Sequence, residues 1–518
     1  MAFTPVIIGV ADVKNKSHVH KEPATLMFEA ISHAINDTGL ASLAPVASQI
    51  DSIDVVRTWT WPYADLPGLL GKWLGLDERP AWTRYTEHGG NEPAKLVDEA
   101  AGRIARGESK VAVVTGGEAL ASVTACAKAG QAEPPGWTKP ATSVDEVFSP
   151  STMDLGEDIG GIHSIGAPIH IYPLYENGFR AHRGQTMKEN NDESAALYAE
   201  FAQVAARNQY SWNYGNPPAT KEEIGVVSKR NRMICSPYHL LMNAFNTVNL
   251  AAAVVLTSTE NARELGVPED KWVYPLGGAG RKEKERFWER PNFHRSEAIS
   301  ISLDECLSRS GITTANIDIL DLYSCFPIVP KLACQHLGLP ILNSTKPLTL
   351  LGGLTSFGGA GNNYSMHAIT EMSRQLRDGK ARNGLILANG GVLSYQHALC
   401  LSSEPRTKGS PYPDSRGSSA AIVGAPAQVE PFAQGEAIIE TYTVQFDRDG
   451  NPEIAFIIAR LKDNTHRFVA NHGDKRTLQE LASDVEEQIG KSGYVDIKRD
   501  DKGDPESNVF YLGPKPRI

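Results

Sequence analysis

The apolar positions fall into short, fully apolar runs separated by stretches of helical period, and one order of these runs occurs twice. Residues 50–56 (IDSIDVV) predict a buried strand, followed by a helix ending at Leu74-Gly75-Leu76. A turn at Gly89-Gly90, a second helix, Arg106-Gly107 and an apolar strand at 111–117 (VAVVTGG) complete the unit. Residues 317–391 repeat it: the strand IDILDLY, a helix ending at Leu337-Gly338-Leu339, Gly352-Gly353, another helix, Arg377-Asp378-Gly379 and the strand LILANGG. Upstream, AINDTGL (34–40) pairs with CLSRSGI (306–312), each just before a strand. A period of about 270 residues is too long for a solenoid. It predicts two similar α/β halves packed together, with equivalent turns on either side of the joint, a natural place for a ligand cleft.

Outside the repeat the pattern changes. Residues 6–13 predict the first buried strand, and 25–37 a helix with Leu26, Ala30, Ile31, Ala34 and Ile35 on one face and Gly39 as its stop. Residues 119–232 are rich in Gly, Pro and aromatics, have no counterpart in the second half, and predict one clear helix at 193–209. Such an excursion reads as a segment folded over the core. Residues 250–257 (LAAAVVLT) return as a buried strand. After about residue 425, runs at 437–446, 454–461 and 465–469, with Asp449-Gly450 as a hairpin signal, predict a separate β-rich domain of about 90 residues. The expected organisation is 1–118 plus 246–275, an insertion at 119–245, a second half at 276–425 and the β-rich domain at 426–518.

Composition narrows the function classes. The formal net charge of −10 over 518 residues argues against an extended nucleic-acid surface. No apolar run approaches the ~18 residues of a membrane span, and the N-terminal stretch lacks the flanks of a signal peptide. Six cysteines, scattered without a CxxC, point to free thiols in a reducing, cytoplasmic setting. The final Pro516-Arg517-Ile518 is a distant relative of the peroxisomal Ser-Lys-Leu address and marks the alternative compartment. No metal site and no covalently bound cofactor are expected.

Three turns carry candidate chemistry. Asn91-Glu92-Pro93 opens a helix with Asn91 as an expected N-cap, which places Gly89 and Gly90 at its positive end, where backbone N–H groups suit a carbonyl oxygen or anion. The same glycines also suit a plain chain turn. In Tyr323-Ser324-Cys325-Phe326-Pro327, Ser324 is an expected cap and Cys325 falls in the first turn of the next helix, where the dipole should lower its pKa; a small buried core cysteine is the alternative. Tyr323 ends the strand and can present its phenol to the same cleft. Gly358, Gly359 and Gly361 precede a further helix, with neither the spacing nor the Lys-Ser/Thr of a phosphate loop, which leaves close backbone approach to a substrate. His88, beside Gly89-Gly90, is a candidate base, and His397 in LSYQHALC a candidate cleft residue; each also suits a structural hydrogen bond. The charged stretch 278–291 reads as a surface connection or, alternatively, a contact for a phosphate.

These stretches — GGNEPAKLVDEAAGRIARGESKVAVVTGGE (89–118), AAAVVLTS, LDLYSCF and GGLTSFGG — resemble the thiolase superfamily over roughly residues 3–425. The similarity is to sterol-carrier-type thiolases and to thiolase-like proteins labelled acetyl-CoA acetyltransferases. It implies an α/β duplicated fold, two βαβαβαββ halves in five αβαβα layers, with a loop-domain insertion and a small C-terminal β domain that loosely resembles an OB-type module. It implies an acyl-CoA ligand, coenzyme A chemistry in lipid metabolism, and a homodimer, with a monomer open if the added domain blocks pairing.

The departures from the pattern matter more. The position of the family's nucleophilic cysteine is Gly90, that of its late histidine is Gly359, and its Cys-x-Gly motif reads Ala388-Asn389-Gly390. The sterol-carrier His-Asp-Cys-Phe turn reads Tyr323-Ser324-Cys325-Phe326. Thiolysis through an acyl-cysteine is therefore not expected. Three readings follow. One is an acyltransferase-superfamily enzyme with Cys325, Tyr323 and His88 as catalytic groups and Gly90, Gly358, Gly359, Gly390, Gly391 and His397 around the substrate. Within it, the tyrosine resembles that of steroid side-chain aldolases and points to retro-aldol cleavage of a β-hydroxyacyl-CoA. The others are a non-catalytic acyl-CoA-binding protein and a scaffold.

Overall fold

The computed structural model describes residues 3–42, 44–76, 80–131, 133–144, 155–407, 410–414 and 422–514; the C-terminal Pro516-Arg517-Ile518 lies outside them. The first half runs through β1 (Pro5–Lys14), β2 (Ile50–Val55), β3 (Trp82–Tyr85) and β4 (Val111–Ala119). The insertion contributes β5 (Met233–Cys235) and β6 (Tyr238–His239), and the chain returns as β7 (Asn249–Ser258). These make a five-stranded sheet of order β1-β7-β4-β2-β3. The second half supplies β8 (Tyr274–Lys282), β9 (Ile319–Leu322), β10 (Asn383–Gly390) and β11 (Tyr395–Ser402), in the order β8-β11-β10-β9. All ten residues of β7 are buried, as a strand covered on both faces requires.

The two helices that follow the paired glycine turns, Glu92–Ala105 and Tyr364–Arg377, pack against each other and against both sheets. They form the middle of five layers. Helix Pro23–Asn36 covers the outer face of the first sheet, and Glu297–Ser310 that of the second. Because both middle helices start at the joint, the turns before them face one another, as the repeat predicted. The expected elements recur within a few residues. The insertion helix starts earlier, at Met187 rather than 193, because Thr186 and Glu189 form a reciprocal capping box there.

One expectation is corrected. The stretch 278–291 is not a surface connection: its start lies in β8, and the fully buried Arg290 donates to the carbonyls of Lys284 and Val392 and to Ser394 Oγ. The C-terminal domain is a closed barrel of five strands: β12 (Gly435–Phe446), β13 (Pro452–Leu461), β14 (Arg467–His472), β15 (Ser492–Arg499) and β16 (Pro505–Leu512). Its order is β12-β13-β14-β16-β15, closed by β12–β15, with helix Lys475–Ala482 between the third and fourth strands. It has its own core but does not stand apart. Strand β5 of the insertion adds to β12 at Cys235–Gln445. Arg467, fully buried, donates to the carbonyls of Trp288, Arg290 and Pro291 while paired with Glu440.

Candidate functional site

The site grows from the contact of the two halves at Gly90. A β-carbon built there would lie 2.4 Å from the carbonyl oxygen of Asn389 and 2.6 Å from the hydroxyl of Tyr323. The space that a side chain at 90 would need is therefore held by a phenol from the opposite half. Gly390 is equally constrained: its β-carbon would lie 2.8 Å from the amide nitrogen of Gly90 and 2.6 Å from Asn91 Oδ1. Asn91 does not cap the helix as expected. It is itself in helical conformation, its Nδ2 donates to Glu92 Oε1 (3.2 Å), and its buried Oδ1 has no hydrogen-bond partner among the described residues.

Cys325 reaches the same place, with Asn389 Nδ2 at 3.8 Å from its Sγ. Helix Ile328–Leu337 begins three residues after it, with Pro327 at the cap position, so Cys325 is outside the first turn. Ser324 does not cap either; its Oγ is buried without a partner among the described residues. The expected lowering of the thiol's pKa is reversed: burial pushes it up to about 12, with the neighbouring Tyr172 hydroxyl acting in the opposite direction. Burial likewise raises Tyr323 well above the ordinary phenol value. Tyr323 packs edge-to-face on Tyr364, with ring centroids 5.6 Å apart.

Sequence reasoning missed Tyr172. It stands on the insertion helix Pro168–His182, stacks on Phe326 at 4.6 Å, and donates to the carbonyl of Gly391 (3.1 Å). It accepts from Asn389 Nδ2 (2.8 Å) and from the amide of Leu393 (3.2 Å). Gln396 Nε2 holds the amide oxygen of Asn389 (2.7 Å). No repeat or motif marks Tyr172, because the insertion has no counterpart in the other half. Behind it lies a second missed cluster. Lys331, fully buried, donates to Glu176 Oε1 (2.6 Å), Asn190 Oδ1 (3.0 Å) and Ser194 Oγ (2.8 Å), and Tyr238 donates to Glu176 Oε2 (2.7 Å). It ties the helix after Cys325 to both long helices of the insertion.

His88 lies beside Gly89, but its geometry does not suit the expected base. Gly89 N–H donates to Asn362 Oδ1 (3.1 Å), which turns Asn362 Nδ2 toward the carbonyl of Arg57 (2.9 Å) and His88 Nδ1 (3.2 Å). His88 Nδ1 is thus an acceptor and the ring is neutral. Burial, with Arg57 adding to it, lowers its pKa to about 4. In the unfolded chain the ring protonates near 6.5, so acid favours unfolding: its contribution to stability is present above that value and is lost as pH falls toward 4. An NMR titration is expected to show the His88 ring neutral at pH 5.5; a midpoint above 6 contradicts this arrangement.

The other candidates are placed differently. At Gly358, Gly359 and Gly361 the missing side chains make room for protein: built β-carbons would meet Val248 Cγ1 at 2.9 Å, Asn246 Oδ1 at 2.3 Å and Glu118 Oε1 at 2.2 Å. Gly358 and Gly361 also have φ of +116° and +55°. His397 is not brought into the cluster. It is buried in β11 with Nε2 on Asp98 Oδ2 (3.1 Å), and Tyr412 donates to the other oxygen (2.6 Å). The structure thus gathers Gly90, Tyr323, Cys325, Asn389, Gly390 and Gly391, with His88 at the edge.

Residues 420–502 match the family described as the additional C-terminal domain of thiolase-like protein type 1. Over the whole chain, a monomeric SCP2-thiolase-like protein type 1 from Mycobacterium smegmatis is 31% identical, with TM-score 0.80, covering 98% of this chain and 99% of its own. The chain belongs to the SCP2-thiolase-like type 1 proteins. Lower similarity reaches the wider fold. An Ltp2–ChsH2(DUF35) aldolase is 20% identical over 77% of this chain and 97% of its own (TM-score 0.57). Human mitochondrial 3-ketoacyl-CoA thiolase is 13% identical over 77% and 98% (TM-score 0.56). No curated protein matches the chain. No helix among the described residues is long and apolar enough to cross a membrane. In this thiolase-like type 1 chain, the joint between the halves sets the Tyr323 phenol of one against Gly90 of the other.

Proposed function

We propose that this chain binds an acyl-CoA-type thioester between its halves and handles it without forming an acyl-enzyme. The observation that carries the reading is the Tyr323 hydroxyl in the space a side chain at position 90 would take. A thiolate nucleophile needs that space and a depressed pKa. The one thiol at the joint, Cys325, is held protonated near neutral pH by burial. What the cluster offers instead is neutral hydrogen-bond donors: the Tyr323 phenol, the Cys325 thiol and the backbone N–H groups at Gly90 and Gly391. Such a set suits a thioester oxygen that gains negative charge as an enolate forms.

Retro-aldol cleavage of a β-hydroxyacyl thioester is the carbon–carbon reaction that needs no acyl-enzyme, and the tyrosine favours it as the chemical reading. Tyr323 takes the proton of the β-hydroxyl as it gives its own to the α-carbon of the departing enolate. The Cα–Cβ bond breaks, a carbonyl forms at Cβ, and no phenolate persists. The name of the aldolase relative supports this reading, as does the barrel, whose strand order is that of an OB-type module. The description of the mycobacterial relative as monomeric favours a monomer over the paired arrangement expected from the thiolase resemblance.

Calorimetric titration with CoA, acetyl-CoA and a longer β-hydroxyacyl-CoA tests the binding. Micromolar affinity for the thioesters is expected, lost when Gly390→Leu fills the joint and kept in Tyr323→Phe. No heat from any of the three in the wild-type protein contradicts the proposal.

A further inference from the structure

A groove of about 960 Å³ opens between the insertion and the C-terminal barrel. It shares no lining residue with the Gly90 cluster. That volume is in the range of sites for small molecules. A third of its lining residues belong to the barrel and the rest to the insertion.

Two hairpins form the rim. One is the turn Ser228–Asn231, closed by two backbone bonds of 3.1 and 3.0 Å. Asn231, buried, pins it by donating to the carbonyls of Glu223, Ile224 and Val226 and accepting from Leu241 N–H. It presents Lys229 and Arg232 to the groove. The other is the β12–β13 turn, fixed by Asp447 accepting from the amides of Asp449 and Asn451, which presents Arg448. None of these three cations has an ion-pair partner among the described residues; Lys188, also on the wall, is committed to Asp192 (2.7 Å). The three outnumber the two wall carboxylates, Asp449 and Asp484, in a chain whose net charge is −10. Beneath them the wall is apolar, with Met233, Pro237 and Phe446. Val227 joins it with 55% of its surface exposed, and Val226 beside it exposes 60%.

We infer that this seam is a binding site for a phosphate-bearing amphiphile: the head sits between the two basic hairpins and the apolar body covers Val227 and Phe446. Arginines from two separate hairpins suit a multiply charged phosphate, which accepts bidentate donors. An apolar body explains why Val227, beside a rigidly pinned turn, is left in water. The site also gives the barrel a role, because neither wall alone encloses it.

The test uses the full chain and lysophosphatidic acid below its micelle concentration, followed by calorimetry. The probe has no thioester, so its failure leaves the cleft proposal intact. Micromolar binding is expected, weakened at least about tenfold by Lys229→Glu with Arg448→Glu, exposed positions that should leave the melting temperature unchanged. Flotation with phosphatidic acid vesicles against phosphatidylcholine vesicles separates the sources. Binding to vesicles alone, sensitive to the same charge reversals, assigns the head to a membrane lipid; binding of the monomer assigns a soluble ligand. Binding of neither, or affinity unchanged by the charge reversals, overturns the inference.

Discussion

Lys331→Met is expected to destabilise the protein by about 3–5 kcal/mol, read from the denaturant midpoint. The ammonium is fully buried and is the counter-charge of Glu176, which is also fully buried. Without it, the Glu176 carboxylate keeps only the Tyr238 hydroxyl, and Asn190 Oδ1 and Ser194 Oγ lose their donor. A buried charge left unpaired costs more than the pair contributes, so Glu176→Gln added to Lys331→Met should recover part of the loss. The cluster joins the helix after Cys325 to the insertion helix that carries Tyr172. Its removal should therefore also loosen the bonds from Tyr172 to Asn389 and Gly391. A midpoint change below 1 kcal/mol would show that the insertion is held mainly by apolar packing.

Tyr323→Phe is expected to lower retro-aldol turnover of a β-hydroxyacyl-CoA by about 10²–10⁴-fold, the range for loss of a positioned proton-transfer group. Affinity for the thioester should change little, because the ring still fills the space beside Gly90 and still packs on Tyr364. Cys325→Ala is the control. Its thiol, held protonated, supplies one weak hydrogen bond beside the backbone donors and moves no proton, so a loss smaller than that of Tyr323→Phe is expected. Equal losses in both variants would assign the proton transfer to the thiol.

Much of the fold was legible in the chain because duplication wrote it twice. Gly75 and Gly338, each just past a helix and each at positive φ, mark the same turn in both halves. The apolar runs that became β4, β7 and β10 are continuous because both faces of each sheet are covered. The exchange of a cysteine for Gly90 and of a histidine for Tyr323 was visible as two separate departures. That they fill one space is a fact about packing between halves, which no local pattern records. The same limit hid Tyr172 and Lys331: their partners lie 217 and 155 residues away in the chain. The error over Cys325 was local, since Pro327 delays the helix and leaves burial, not the helix dipole, to set the thiol's pKa.

The central claim, a thioester bound without an acyl-enzyme, is tested most directly by intact-protein mass spectrometry after incubation with acetyl-CoA, with native and acid-quenched samples side by side. The account predicts acetyl-CoA retained in the native spectrum and no acetyl increment on the protein after the quench. A covalent acetyl group on Cys325, or on any other residue at the joint, would contradict it.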